Sequence, residues 1–284
     1  MLACMMKRDK DDLRKLNKND ECTIARFCKG LEYAGETHKY GYFHYTKWSS
    51  LAKMMTPVKL EGVKEKRCVL VTKAPKDKND LSEGALDGRY WYVSFTHEPH
   101  ELVQMWVVYG QYSPEAVRVC FDGVMITDWA KQDAAQIGVY EVPDDTKNGV
   151  FKRVHAKLVA VKLFDVGYFA KEELGKRKGV IHRHRKYTVG LNELESLRKS
   201  GQEFGPYFKD ATWADENEVR LLLVFDKPIK VEKIAIDFDA PIADVRANLR
   251  NRVVTSPWLD MLKIADTSID MCQTSICKGK IRDR

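Results

Sequence analysis

Long apolar runs are the first thing this sequence lacks. No segment approaches the roughly 18 apolar residues of a membrane-spanning helix, although hydrophobic residues make up 44% of the 284-residue chain. The start, MLACMMKRDK, also lacks the basic region followed by an apolar stretch that marks a signal peptide. We therefore expect a cytoplasmic protein with no membrane partner and with enough apolar material for a sizeable core.

Paired cysteines are also missing. The seven cysteines are scattered along the chain, and they form no pair of Cys-x-x-Cys motifs of the kind that holds structural zinc. Cys22 with Cys28, or Cys272 with Cys277, would need distant histidines to complete a metal site. The pattern favours free thiols in a reducing compartment, and we predict no metal cofactor.

Motifs that mark common nucleotide-binding and hydrolase folds are absent as well. The chain has no Gly-x-Gly-x-x-Gly and no Gly-Lys-Ser/Thr phosphate loop, which argues against the common α/β nucleotide-binding folds. Ser94 stands in the segment WYVSFT, which is not the Gly-x-Ser-x-Gly elbow of many Ser-His-Asp hydrolases.

The chain is instead rich in short segments of strand-like composition. Strands are predicted at 41–46, 67–72, 89–96, 116–121, 123–127, 138–142, 150–164 and 231–238. The strands at 116–121 and 123–127 flank Asp122-Gly123, which is a strong hairpin signal. Helices are predicted at 51–55 after an N-cap at Ser49-Ser50, and at 101–111, 192–200, 242–251 and 258–265. Because strands and helices do not alternate regularly, we predict an α+β fold with a mostly antiparallel sheet and surrounding helices.

The most informative strand follows an acidic turn, within residues 213–225. Alternation along a strand would place Glu216, Glu218 and Arg220 on one face. The other face would carry Val219, Leu221, Leu223 and Phe225. The two carboxylates suit acid chemistry, but the same spacing suits an ordinary ion pair with Arg220.

Two aromatic strands carry polar residues that suit a ligand pocket. These are His44-Tyr45-Thr46 and Ser94-Phe95-Thr96, in stretches that also contain several Tyr and Trp residues. An aromatic pocket with a few polar groups suits a flat heteroaromatic ligand. A glutamate against such a ligand could hold a ribose hydroxyl and stabilise an oxocarbenium-like transition state. Taken singly, a buried histidine or serine is more often an ordinary core residue than a catalytic one.

Positive charge is concentrated in one segment. The chain has a net charge of +7, and residues 171–187 contain seven Lys/Arg against two Glu. This cluster attracts phosphate-bearing partners, so Arg183, Arg185 and Lys186 are candidate nucleic-acid or phosphate ligands. A solvated surface loop explains the same composition.

Three motifs together resemble a largely uncharacterised microbial family of unknown function. That family has an HYT strand, an SFS-type strand before a W-x-x-Y-G helix, and a W-x-x-E-x-E-W-R strand. Here they correspond to His44-Tyr45-Thr46, to Ser94-Phe95-Thr96 with Met105-Trp106 and Tyr109-Gly110, and to Phe208-Lys209 with the segment 213–220. The resemblance spans about residues 40–240. Val219 replaces the usual tryptophan, and the Asn-Asp-Pro segment typical after the first motif is missing.

The order His, Ser-x-Thr, Glu-x-Glu is in turn similar to the ADP-ribosyltransferase superfamily, which implies a split sheet and NAD as a substrate. By this resemblance, His44 with its neighbours Tyr45 and Thr46 would contact the ribose or phosphate of NAD. Ser94 with Phe95 and Thr96 would orient the NAD, and Tyr45 or Phe95 would stack on nicotinamide. Glu218 would bind the nicotinamide ribose and promote nicotinamide departure, and Glu216 would engage the acceptor.

We therefore predict a single catalytic domain at 41–266, after a basic extension at 1–40 and before a loose tail at 267–284. The predicted function is NAD-dependent transfer of ADP-ribose to a macromolecular acceptor, a protein or a nucleic acid. One alternative is a non-catalytic nucleic-acid or nucleotide binding module that uses residues 171–187. Another is a metal-independent nuclease or hydrolase that uses His44, or His182 with His184, and a carboxylate.

Overall fold

The fold is α+β, as the sequence predicts. A computed structural model describes residues 41–75, 88–96, 101–111, 113–146, 148–170, 177–182, 185–190, 206, 208–238, 253–255 and 271–272. Three α-helices and three mostly antiparallel sheets occur within these residues. The predicted extension at 1–40 and the predicted helices at 192–200, 242–251 and 258–265 lie outside the described residues.

The secondary-structure elements are short. The helices are α1 (Trp48–Met55), α2 (Val103–Gly110) and α3 (Gly123–Lys131), and 3-10 turns lie at Ala134–Gln136 and Ala211–Glu216. The strands are β1 (Tyr42–Lys47), β2 (Lys59–Leu60), β3 (Leu70–Lys73), β4 (Tyr90–Thr96), β5 (Ala116–Phe121), β6 (Gly138–Glu141), β7 (Val150–Arg153), β8 (Leu158–Asp165), β9 (Gly167–Ala170), β10 (Arg177–His182), β11 (Arg185–Gly190), β12 (Phe208–Asp210), β13 (Glu218–Phe225), β14 (Lys233–Asp237), β15 (Val253–Thr255) and β16 (Met271–Cys272).

The central sheet has seven strands in the order β16-β15-β5-β1-β4-β13-β8. Strand β1 pairs with β5 along its whole length, and β4 pairs with β13 from Thr96 to Tyr90. Between β1 and β4, in contrast, the paired register consists of Phe43 opposite Thr96. The sheet therefore opens between its first two motif-bearing strands. The other sheets have the orders β2-β7-β6-β14-β3 and β11-β10-β9-β12.

The two faces of the central sheet differ in chemistry. One face, here called the apolar face, carries Trp91, Val93 and Phe95 of β4 beside Val219 and Leu221 of β13, all buried. These side chains share one cluster with residues of α1 and α3. Burial of each large side chain stabilises the fold by about 1.5–3 kcal/mol. The opposite face, here called the polar face, carries the chemistry of the candidate site.

The predicted hairpin at Asp122-Gly123 is wrong. Residues Gly123–Lys131 form helix α3, and Asp122 is its N-cap, with a carboxylate that accepts a 2.8 Å hydrogen bond from the Val124 amide. Aspartate followed by glycine suits both a tight turn and a helix start. The helix wins because Ile126 and Trp129, spaced three residues apart, both reach the core.

Four further local predictions are corrected by the structure. Helix α1 begins at Trp48 after Lys47, without a side-chain cap from the serines. The predicted strand at 150–164 is two strands, β7 and β8, separated by bends. Within the basic segment, expected to be a loop, the backbones of β10 and β11 pair as an antiparallel hairpin. In the predicted loose tail, β16 pairs in parallel with β15.

One observation bears on membrane association. None of the helices in the described part of the chain combines the length and the apolar character that a membrane crossing requires.

Candidate active site on the polar face of the central sheet

Neighbouring strands bring Ser94 and Glu218 into direct contact. In the β4–β13 register, Ser94 lies opposite Arg220 and Thr96 opposite Glu218, so these four side chains share the polar face. The Ser94 hydroxyl donates a 2.5 Å hydrogen bond to Glu218 Oε1. The two residues that the motifs predict as cofactor-binding and catalytic therefore form one unit.

Arg220 holds the Glu218 carboxylate from the same strand. Its Nε donates to Glu218 Oε1 at 2.7 Å, and an NH2 contact reaches Oε2 at 3.4 Å. Its NH1 donates to the Pro206 carbonyl at 2.8 Å, and its guanidinium carbon lies 4.2 Å from the centroid of the Tyr92 ring. The ion pair that strand alternation predicts is therefore present, and it fixes both partners.

Glu216 reaches the same place by a different route from the predicted one. The expectation that it continues the strand is wrong, because Glu216 ends the 3-10 turn Ala211–Glu216. Asn217 then has a left-handed φ of 44°, a conformation that asparagine tolerates better than most residues. This turn brings Glu216 beside Glu218 before β13 begins.

Lys209 and Tyr109 complete the network. Lys209 Nζ lies 2.8 Å from Glu216 Oε2, 3.4 Å from Glu218 Oε2 and 3.4 Å from the Tyr109 hydroxyl oxygen. The Tyr109 hydroxyl donates to Glu216 Oε1 at 2.9 Å. Relative exposure is only 3% for Lys209, 2% for Glu216, 4% for Glu218 and 1% for Arg220. Two carboxylates and two cations are thus held together with little water around them.

Electrostatics set the two glutamates apart. Burial alone would raise the pKa of Glu218, but Arg220 and Lys209 outweigh it and hold that pKa at about 2. Burial raises the pKa of Glu216, and Lys209 opposes this shift without cancelling it. Burial opposes charge on Lys209, yet the two carboxylates raise its pKa above the ordinary value. Glu218 is therefore the firmly ionised carboxylate, and Glu216 is the one that takes a proton more readily.

His44 lies next to this unit but on the opposite face. The β1–β4 register and strand alternation place His44 on the side of Phe95, and the two rings are 5.9 Å apart. Its Nδ1 lies 2.8 Å from the carbonyl oxygen of Ser94, so a neutral ring donates Nδ1–H to the main chain. Burial lowers the pKa of His44, which favours that neutral form. The structure brings His44 to the backbone of Ser94, and not to its hydroxyl.

The remaining predicted pocket residues divide between the two faces. Tyr45 shares the polar face and packs edge-on against Trp106, with centroids 4.9 Å apart. Thr96 is buried opposite Glu218. Phe95 is buried in the core cluster on the apolar face, and Thr46 alternates with Tyr45 onto the side of His44.

The predicted phosphate ligands are only partly within the described residues. Arg185 and Lys186 are the first two residues of strand β11. Arg183 and His184 lie outside the described residues. Their role in binding nucleic acid or phosphate stays a prediction. Among the residues that the structure describes, no group of three or more His, Cys, Asp or Glu side chains is placed to hold a metal ion.

The sequence patterns predict no role for Lys209, and they predict Tyr109 only as one of the aromatic residues near the pocket. Lys209 precedes Glu216 by seven residues, and Tyr109 lies on α2, far from both in the chain. The usable signal was weak: both residues stand inside the quoted motifs, and Tyr109 places a polar hydroxyl on the face of α2 that also carries Met105 and Trp106. Their contact with each other follows only from the tertiary fold.

Known proteins offer no independent support for this site. No family model, no curated protein and no solved structure matches the chain. The resemblance drawn from the three motifs therefore stays a prediction, and the geometry of the network is the basis for a functional proposal.

Proposed function

We propose that this protein is an NAD-dependent ADP-ribosyltransferase that cleaves the nicotinamide–ribose bond and transfers ADP-ribose to a macromolecular acceptor. The observation that carries the proposal is the 2.5 Å hydrogen bond between Ser94 and Glu218 on adjacent strands. It joins the serine and the glutamate on which the superfamily resemblance depends. Their shared polar face, with Tyr45 and Tyr92 nearby on neighbouring strands, is the side on which a nicotinamide ribose would bind.

The chemistry requires a fixed negative charge beside the anomeric carbon. As the C1′–nitrogen bond breaks, its electron pair leaves with neutral nicotinamide, and positive charge develops on the ribose. An ionised Glu218 in a site with little water stabilises that charge strongly. Ser94 and Arg220 keep the carboxylate in one orientation, which reduces the reorganisation needed in the transition state.

The buried state of Glu218 places a condition on binding. At 4% exposure, its carboxylate meets a ribose hydroxyl only when a group that covers it moves aside. Lys209, whose contact with Glu218 is 3.4 Å, is held less closely to this carboxylate than Arg220 is at 2.7 Å. We expect NAD to displace the Lys209 contact and to leave the Arg220 contact in place.

The first test replaces Glu218 by Gln, which keeps the size of the side chain and removes its charge. Full-length protein is incubated with NAD and a panel of protein and nucleic-acid acceptors. Free nicotinamide and acceptor-bound ADP-ribose are then counted by mass spectrometry. We expect Glu218→Gln to lower nicotinamide release by about 10²–10³-fold, the usual effect of removing one preorganised electrostatic group.

The matched control is Glu232→Gln, the same chemical change at an exposed position outside the site. It should leave nicotinamide release unchanged. Circular dichroism establishes that both variants are folded under the assay conditions. Equal activity of the wild-type protein and Glu218→Gln across all acceptors would show the assignment to be wrong.

A further inference from the structure

Lys209 occupies a position that is built to hold a cation. Its Nζ lies 2.8 Å from Glu216 and 3.4 Å from Glu218. The Tyr109 hydroxyl is 3.4 Å away, and the centroid of the Trp213 ring is 4.9 Å away. Carboxylates together with an aromatic face are the groups that proteins use to bind alkylammonium and guanidinium ions. We call these four side chains around Lys209 the cation cage.

Lys209 fills the cation cage, so the site is already occupied when a cationic acceptor substrate approaches. The charges of Glu216 and Glu218 are matched by those of Lys209 and Arg220. An arginine or lysine side chain brought to Glu216 would add a third cation at a site with little water. Both oxygens of Glu216 already accept hydrogen bonds, from Tyr109 at 2.9 Å and from Lys209 at 2.8 Å. Like charges placed together in this way select against a partner.

An anionic acceptor is disfavoured for the opposite reason. A carboxylate or phosphate nucleophile would approach the sugar beside two ionisable glutamates, and it has no proton to give up. A neutral hydroxyl avoids both repulsions. It has one proton to lose, and Glu216 is the carboxylate of the pair that accepts a proton more readily.

We infer that Lys209 is a specificity-determining residue that excludes cationic acceptors, so that the ADP-ribose acceptor is a neutral hydroxyl group. This inference rests on the proposed function. In the transfer step, the C1′–nitrogen bond of NAD breaks and its electron pair leaves with nicotinamide. A lone pair of the hydroxyl oxygen forms the new C1′–oxygen bond, and the hydroxyl proton passes to the Glu216 carboxylate and then to water.

The test compares small acceptors that represent each class. Full-length protein is incubated with NAD and equal concentrations of methanol (a neutral hydroxyl), agmatine (a guanidinium) and acetate. Mass spectrometry counts methyl ADP-ribose, ADP-ribosyl-agmatine, the acetate ester and free ADP-ribose. We expect the wild-type protein to form mainly the products of methanol and water, with the agmatine adduct as a minor share. Lys209→Ala should raise the agmatine share at least about tenfold, because the carboxylate cage is then open to an external cation.

A second measurement does not depend on turnover. Lys209→Ala removes Cγ, Cδ, Cε and Nζ, which leaves a space of the shape of a propylammonium ion between two carboxylates. Propylammonium should therefore raise the melting temperature of Lys209→Ala and of no other protein tested. The matched control is Lys227→Ala, the same change at an exposed position. If Lys209→Ala is unfolded alone, propylammonium should restore its folding, and Lys209→Met, which keeps the apolar stem and removes the charge, replaces it in the acceptor assay.

The outcomes separate the two proposals. Formation of the agmatine adduct by the wild-type protein, as readily as methyl ADP-ribose, overturns the inference and leaves the proposed function standing. A Lys209→Ala variant that gains neither agmatine transfer nor stabilisation by propylammonium also overturns the inference. Wild-type protein that releases no nicotinamide under any condition overturns the proposed function and the inference together.

Discussion

The two faces of strand β13 are buried to nearly the same degree but by opposite physical means. Val219, Leu221 and Leu223 are 0% exposed on one face, while Glu218 and Arg220 are 4% and 1% exposed on the other. Burial of the aliphatic side chains is favourable in itself. Burial of the ion pair is opposed by desolvation, and its Coulomb attraction at best offsets that loss. Stability alone therefore does not explain the composition of the polar face.

The largest expected effect comes from breaking the ion pair on one side only. Glu218→Leu or Arg220→Met alone leaves a buried charge without its closest partner, and we expect each to lower the free energy of unfolding by about 3–5 kcal/mol. The double variant replaces both charges by apolar groups of similar volume, and it should regain most of that loss. Chemical denaturation measures all three.

The double variant also separates stability from function. We expect it to be folded and stable while nicotinamide release stays as low as in Glu218→Gln. A double variant that is as unstable as either single variant would mean that the ion pair itself stabilises the fold. The two faces of β13 would then not differ in their contribution to stability.

The next effect is on the apolar face. Leu221→Ala removes a fully buried side chain, and we expect a loss of about 2–5 kcal/mol in the free energy of unfolding through lost burial and a residual cavity. Nicotinamide release per folded molecule should not change, because Leu221 points away from the polar face. Leu221→Met is the matched control and should lose less than about 1.5 kcal/mol. A large loss of activity in fully folded Leu221→Ala would argue against this division of roles.

The smallest effect is a pH dependence that originates on the apolar face, at His44. Its folded-state pKa is lowered by burial, so the unfolded chain binds the proton more readily. The contribution of neutral His44 is therefore present above the ordinary pKa of 6.5 and is lost as the pH falls below it. His44→Asn keeps a donor for the Ser94 carbonyl without a titrating ring, and it should flatten the fall in stability between about pH 7 and 5.

The matched control for this pH effect is His155→Asn, the same change at an exposed position. Denaturation midpoints at several pH values compare the three proteins. Identical slopes of stability against pH for the wild-type protein and His44→Asn would mean that His44 does not contribute to the pH dependence. Its ring would then not be held in the neutral form against the Ser94 carbonyl.

Local sequence patterns predicted the strands that build the site. They failed where one pattern is compatible with two different structures. Aromatic and β-branched residues in short runs located β1 and β4, and alternating residues located β13 with its two faces. Asp122-Gly123 misled because the same dipeptide starts a hairpin or caps a helix. The choice depended on whether Ile126 and Trp129 found a core to pack against, which a local pattern does not contain.

The candidate site was predicted in part. The motifs led to Ser94 and Glu218, and strand alternation led to the ion pair with Arg220, because each of these depends on residues close in sequence or on a recurring pattern. The position of His44 behind the Ser94 carbonyl was missed. That position follows from the β1–β4 register, which a single strand does not reveal.

By itself, the sequence determined the α+β class, the three motif-bearing strands and the opposite faces of β13, since composition and periodicity act over a few residues. The tertiary structure alone decided which charges meet. Lys209 and Tyr109 come from separate elements, and only the fold brings them to the two glutamates. In this buried network, Coulomb interactions determine which carboxylate stays ionised. Local sequence patterns do not predict this, because the pKa of each group depends on neighbours that are distant in the chain.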